Sequence, residues 1–199
     1  LPEVLPNLMI VLFDKRGRKL WEKFHSLGQI TEVVKILQNK DGYIILLNRV
    51  GFKENGSKEY ASLVYLDKDA KIIKQKNISS KSYNLTATDI IHSDHTNRGF
   101  VVSVTKKSKE MKNEGVHAQS IAAIHVLDIN GNDVHRREYF LGTNNEILGL
   151  ELIEFSKNEH GYIATGYFKN NNGKKKGWVL RLNPDVSYVW QKEFSRGQN

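Results

Sequence analysis

"LFDKRGRKLWEKF", residues 12–24, runs from the end of an apolar segment through a polar turn to a tryptophan set between charges. The pattern returns three times, in "LVYLDKDAKIIKQKN" from Leu63, "IHVLDINGNDVHRREY" from Ile124 and "VLRLNPDVSYVWQKEF" from Val179. Asp14, Asp67, Asp128 and Asn183 take the same place in it, 53, 61 and 55 residues apart. Seven positions on stand Trp21, Lys74, His135 and Trp190, and nine on stand Lys23, Lys76, Arg137 and Lys192. Each stretch reads as two strands joined by a short turn. Asp or Asn opens the turn because its side chain can bond the backbone two residues on. Gly17 and Gly131 supply a backbone with positive φ. Ala70 and Val186 stand where that glycine is missing, so a different turn type is expected there.

A second marker falls between these hairpins. "KDGYIILLN" (40–48), "NRGFVVSVT" (97–105) and "EHGYIATGY" (159–167) share a glycine followed by an aromatic residue and a β-branched or aliphatic run. Gly42, Gly99 and Gly161 lie 57 and 62 residues apart. Each is preceded by another alternating run: "EVVKILQ" (32–38), "LTATDIIHS" (85–93) and "LGLELIEFS" (148–156). No segment sustains a 3.6-residue apolar period, so helix content should be low.

In order, the unit is a strand, a turn, a Gly–aromatic strand, a variable loop, an apolar strand, the Asp turn and a Trp/Lys strand. Four antiparallel strands repeating in this way describe a β-propeller blade. A β-sandwich would explain the alternation but not the recurrence of both markers in fixed order. The expected fold is therefore all-β, a β-propeller or an incomplete propeller arc of four-stranded antiparallel blades.

The markers resemble bacterial β-propeller repeat proteins whose blades read "DGGYI…G", a loop, then "LDxxGxxxWxK". "DGY" at 41–43 and "FDKRGRKLWEK" at 13–23 carry the resemblance, which extends from about Leu8 to Phe194. Lys74 and His135 depart from it, standing where those repeats have tryptophan. The resemblance implies the fold and an exported, periplasmic or cell-surface location. It implies no catalytic residue, because the repeated positions are structural.

The repeat divides the chain into a half blade (8–25) and three blades at about 30–78, 83–140 and 146–194, read as a single propeller-type domain. The first two strands of the half blade are missing, so the chain is expected to belong to a larger ring or to be completed by another chain. The first residue is Leu1, and "LPEVLPNLMI" lacks the basic start of a signal peptide. A leader or another domain upstream is left open.

Hydrophobic residues make up 39% and charged residues 26%, enough to bury a core. The absence of cysteine excludes disulfides and cysteine-held metal sites. A formal net charge of +8 favours acidic partners if it clusters in space.

In a propeller, the loops between second and third strands share one face. Those loops are read at 49–60, 106–119 and 169–177, carrying Lys53 and Lys58, then Lys106, Lys107, Lys109 and Lys112, then Lys174, Lys175 and Lys176. They form a candidate rim for an anionic ligand or glycan, against the plainer reading of solvated loop tips. Trp178, at a strand start beside the last loop, is the expected exposed aromatic. Trp21 and Trp190 are expected to pack as core, with the stems of Lys23 and Lys192 across them.

"DIIHSDHTN" (89–97) sets His92 and His95 at a spacing that metal sites use. No third ligand is identifiable, and Ser, Asp, His and Asn are ordinary turn formers. No metal and no cofactor is expected. Nucleophile, zinc-protease, phosphate-loop and dinucleotide motifs are absent.

The functional expectation is a non-catalytic binding or scaffolding module, not an enzyme, acting through a protein partner or the missing part of the ring. The alternatives are a polyanion binder working through the lysine loops and a propeller-fold enzyme with a central-funnel site. That enzyme would be a hydrolase, a lyase or a quinone-dependent oxidoreductase.

Overall fold

The computed structural model describes residues 7–53, 56–93, 99–108, 120–140, 142–156, 159–170 and 172–195. Among them the chain forms fourteen β-strands and no helix. β1 (Leu8–Phe13) and β2 (Lys19–His25) make a two-stranded sheet. β3 (Ile30–Asn39), β4 (Gly42–Lys53), β5 (Gly56–Asp67) and β6 (Ile72–Ile78) make a four-stranded one. β7 (Tyr83–His92), β8 (Phe100–Ser108), β9 (Ser120–Leu127) and β10 (Asp133–Tyr139) make the next. β11 (Thr143–Ser156), β12 (Glu159–Lys169), β13 (Lys175–Leu182) and β14 (Tyr188–Phe194) make the last. Each sheet is an antiparallel meander in chain order.

The turn acid does the same work in three of the four turns, and in the fourth Asn183 Nδ2 donates to Ser187 Oγ at 2.8 Å. Asp14 Oδ1 accepts the backbone N–H groups of Arg16 at 2.8 Å and Arg18 at 2.9 Å. Asp67 accepts those of Asp69 and Lys71, and Asp128 those of Asn130 and Asn132. The third residue after the acid has positive φ in all four turns: Gly17 at 77°, Ala70 at 57°, Gly131 at 78° and Val186 at 55°. The turns at Ala70 and Val186 therefore do not differ in type, contrary to the sequence expectation. Both side chains are fully buried. Left-handed backbone costs an L residue about 1–2 kcal/mol, and burying a valine side chain returns roughly 1.5–3 kcal/mol.

The lysine-bearing loops are also shorter than expected. β4 and β5 stay paired out to Lys53 opposite Gly56, so most of 49–60 is strand. Lys106 and Lys107 lie in β8, and Lys175 and Lys176 in β13. Cross-strand pairing extends until a turn can form, and polar composition alone does not end a strand.

The chain divides into two compact units, Leu1–Ile78 and Ser79–Asn199. In the first, Leu8, Ile10 and Trp21 of the hairpin share a core with Ile45, Leu47, Val64, Leu66 and Ala70 of the neighbouring sheet. In the second, Ala122, Ile124 and Val126 share a core with Leu180, Leu182 and Val186 of the last sheet. Counted from the turn acid, Leu8 and Ile10 match Ala122 and Ile124, at six and four positions before it. Val64, Leu66 and Ala70 match Leu180, Leu182 and Val186, at three before, one before and three after. Each unit thus uses one sheet-on-sheet packing register, and the sequence period encodes it.

Candidate functional site

The hairpin β1–β2 differs from the other sheets in what it leaves open. One face, with Leu8, Ile10 and Trp21, packs into the core of its unit. Strand alternation puts Met9, Val11 and Phe13 on the opposite face with Leu20 and Phe24. Met9 is 58% exposed, Phe13 55%, Leu20 59% and Phe24 56%. Met9 and Phe24 are directly opposite each other across the two strands. Isolated exposed apolar residues are ordinary, but four large ones on one face of two paired strands form a contiguous patch.

The repeat shows what that face corresponds to. Met9, Val11 and Phe13 stand five, three and one positions before Asp14. In β13 those positions are Trp178, Leu180 and Leu182, buried in the core shared with the preceding sheet. The exposed hairpin face is therefore the receiving face of a sheet. Its edge is open as well: among the described residues β1 pairs only with β2, whereas β5, β9 and β13 each lie between two strands. The chain holds the hairpin in place through Asn7, whose N–H donates to His25 O at 3.0 Å and whose Oδ1 accepts from Leu27 N at 3.1 Å.

The described lysines of the set in the second unit, Lys106, Lys107, Lys174, Lys175 and Lys176, lie toward one end of its sheets. Lys107 pairs with Ser120, whose N–H donates to Asn144 Oδ1 at 3.2 Å, tying the start of β9 to the start of β11. Thr143 pairs with Lys169, and Lys169 with Lys175. Lys106 is nearly buried, bonded to Glu138, with its ammonium 4.8 Å from the Tyr83 ring centroid. Lys176 bonds Glu193 at 3.2 Å. Lys175 lies 4.0 Å from the ring centroid of Tyr167. Lys107 and Lys174 are exposed. Lys109 and Lys112 lie outside the described residues. Carboxylates inside the set reduce the field that the sequence suggested. Beside them, desolvation pushes the Tyr167 phenol up to about 12, reinforced by its hydrogen bond to Glu146 and that carboxylate's charge.

Trp178 is not an exposed aromatic. It is 2% exposed and sits in the core of the second unit. It alternates with Leu180 and Leu182, so all three project from the same face of β13. Gly166 makes room for it: a Cβ there would come 2.6 Å from Trp178 Cζ2. Trp190 is half-buried rather than core, with the Lys192 ammonium 5.7 Å from its ring centroid, while the ammonium of Lys74, in the tryptophan position, lies 4.2 Å from the Tyr65 ring centroid.

His92 is exposed and tilted against Phe100 at 5.7 Å between ring centroids. His95 lies outside the described residues. Among the described residues no group of three His, Cys, Asp or Glu side chains could hold a metal ion. His125 is buried with Nδ1 2.8 Å from Asp133 Oδ1. Its Nε2 has no hydrogen-bond partner, so this pair lacks the bonded hydroxyl of a nucleophile–base arrangement.

No protein-family model matches the chain, and no curated protein matches it. The apolar hairpin face was missed as a site in the sequence, although the alternation of Met9, Val11 and Phe13 was available to mark it.

Proposed function

We propose that the four-stranded sheets are propeller blades and that the chain is a non-catalytic scaffolding module working through protein contacts. The observation that carries the reading is the hairpin β1–β2, which keeps a receiving face of Met9, Phe13, Leu20 and Phe24 more than half exposed. Covering apolar area is worth roughly 25 cal/mol per Å², so such a face stabilises association with another apolar protein surface. The exported location suggested by the repeat resemblance belongs to the same reading.

Light scattering across a concentration series tests it, with the Phe24→Lys variant as control. Phe24 lies in β2, on the exposed side of the hairpin. Concentration-dependent association of the wild-type chain that Phe24→Lys abolishes supports the reading. The same concentration-independent monomer mass for both proteins overturns it for this surface.

A further inference from the structure

We propose that Asn172 is a site of spontaneous covalent modification, its carboxamide converted to aspartate and isoaspartate through a cyclic imide, whereas Asn130, in the same dipeptide and the same kind of turn, is protected. The inference goes beyond the protein-contact reading and draws nothing from the hairpin β1–β2.

The chain has three Asn–Gly dipeptides, beginning at Asn55, Asn130 and Asn172. In such a pair the glycine backbone nitrogen loses its proton to hydroxide and attacks the asparagine Cγ. A new N–C bond closes the imide ring, the Cγ–Nδ2 bond breaks and ammonia leaves. Water then opens the ring at either carbonyl, giving aspartate or isoaspartate. Glycine permits the ring closure because it has no Cβ to crowd it. Asn55 lies outside the described residues, so the structural comparison is between the other two.

The two turns share one skeleton. Gly131 N donates to Asp128 O and Gly173 N to Asn170 O, each at 2.9 Å. Gly131 and Gly173 hold positive φ, at 78° and 73°. Asp128 Oδ1 accepts from the backbone N–H groups of Asn130 and Asn132, and Asn170 Oδ1 from those of Asn172 and Lys174. In the closed turn the attacking N–H is already engaged, so the reaction waits on local opening.

Three differences separate the sites. Asp128 offers a carboxylate, with both backbone bonds at 2.8 Å and a further bond from Asn132 Nδ2 at 2.9 Å. Asn170 offers a neutral carboxamide, at 3.1 and 2.9 Å. Hydrogen bonds to an ionised acceptor are about twice as strong, so the Asn170 turn opens more readily. Access differs as well: Gly131 is buried, whereas Gly173 is exposed and a Cβ placed on it would meet nothing within 4 Å. Hydroxide therefore reaches Gly173 first. The third difference is charge. Attack passes through an anionic nitrogen and then an oxyanion. Asp128 opposes both, while exposed Lys174 and Lys175, directly after Gly173, favour them. The product sets a carboxylate beside Lys174, and its isoaspartate form adds a methylene to the backbone of the turn between β12 and β13. Modification thus lowers the positive charge at this end of the second unit.

The test incubates the folded chain at mildly alkaline pH and reads conversion at each asparagine by protease digestion and mass spectrometry. Asn172 should convert several-fold faster than Asn130. Unfolding in guanidinium should speed Asn130 more than Asn172. Exchanging the turn residues supplies the control: Asn170→Asp should slow conversion at Asn172, and Asp128→Asn should speed it at Asn130. The wild-type comparison keeps the test decisive should Asp128→Asn fold poorly. Equal rates at the two positions in the folded chain, or faster conversion of Asn130, overturn the proposal. Insensitivity of Asn172 to Asn170→Asp overturns it as well.

Discussion

The phenol of Tyr139, at the end of β10, donates a 2.6 Å hydrogen bond to the carbonyl oxygen of Val186, in the turn between β13 and β14. Both residues are buried, and the bond joins the two sheets of the second unit. It also fixes the turn at which valine holds a positive φ.

Tyr139→Phe keeps the ring and strands the Val186 carbonyl in a dry interface. Leaving a buried acceptor unpaired costs about 1–3 kcal/mol, so the urea midpoint should fall by that equivalent. Burial, with the charge of Asp185, pushes the Tyr139 phenol well above the usual tyrosine range, partly opposed by Arg137. The unfolded chain releases this proton near about pH 10, and the folded chain does so later. The associated stability is thus present below that pH and is lost as pH rises through the folded value. Alkaline urea titrations should show a shallower decline for Tyr139→Phe than for the wild type.

Val186→Gly and Ala70→Gly separate backbone strain from burial. Glycine relieves about 1–2 kcal/mol of left-handed strain at either site. Ala70→Gly removes one methyl, worth about 0.8 kcal/mol, and should leave stability near the wild type. Val186→Gly removes a whole buried side chain and should destabilise by about 1–2 kcal/mol once the cavity is included. Thermal or urea unfolding of the pair checks the order; an equal gain in both would show that strain, not packing, governs these turns.

Glu146→Gln should move one tyrosine ionisation to lower pH. The Tyr167 phenol is held up to about 12 by desolvation, then by its hydrogen bond to Glu146 and that carboxylate's charge. Removing the charge ends the repulsion and weakens the hydrogen bond to a neutral one, leaving desolvation as the main opposition to ionisation. Ultraviolet titration at alkaline pH reads the shift, with Tyr167→Phe identifying the transition that disappears.

Replacing Lys174, Lys175 and Lys176 together by glutamine tests the basic end of the second unit against heparin as the anionic probe. With Lys106 bonded to Glu138 and Lys176 to Glu193, binding should be weak and little changed by the triple substitution. A steep salt dependence, lost in the variant, would instead establish a polyanion site there.

Much of the fold could be read from the chain because its rules are local and repeated. Asp14, Asp67 and Asp128 bond the backbone two and four residues on, which depends only on neighbouring atoms. The two markers, taken together, located the strands and their antiparallel order. The turns at Ala70 and Val186 were misjudged because their side chains are rewarded by a core that lies far away in sequence. Lysine-rich segments read as loops turned out to be strand ends, since pairing partners rather than polarity set where a strand stops.

The sequence by itself determined the period, the strand order within each sheet and the position of each turn, all consequences of side-chain type at short range. Only the tertiary structure decided which face of each strand is covered. Trp178 is buried and Phe13 exposed, though both belong to matching alternate rows of residues before the turn residue, because a neighbouring sheet covers one and none within the first unit covers the other. Burial is a property of what packs against a residue, and that partner lies elsewhere in the chain or beyond it.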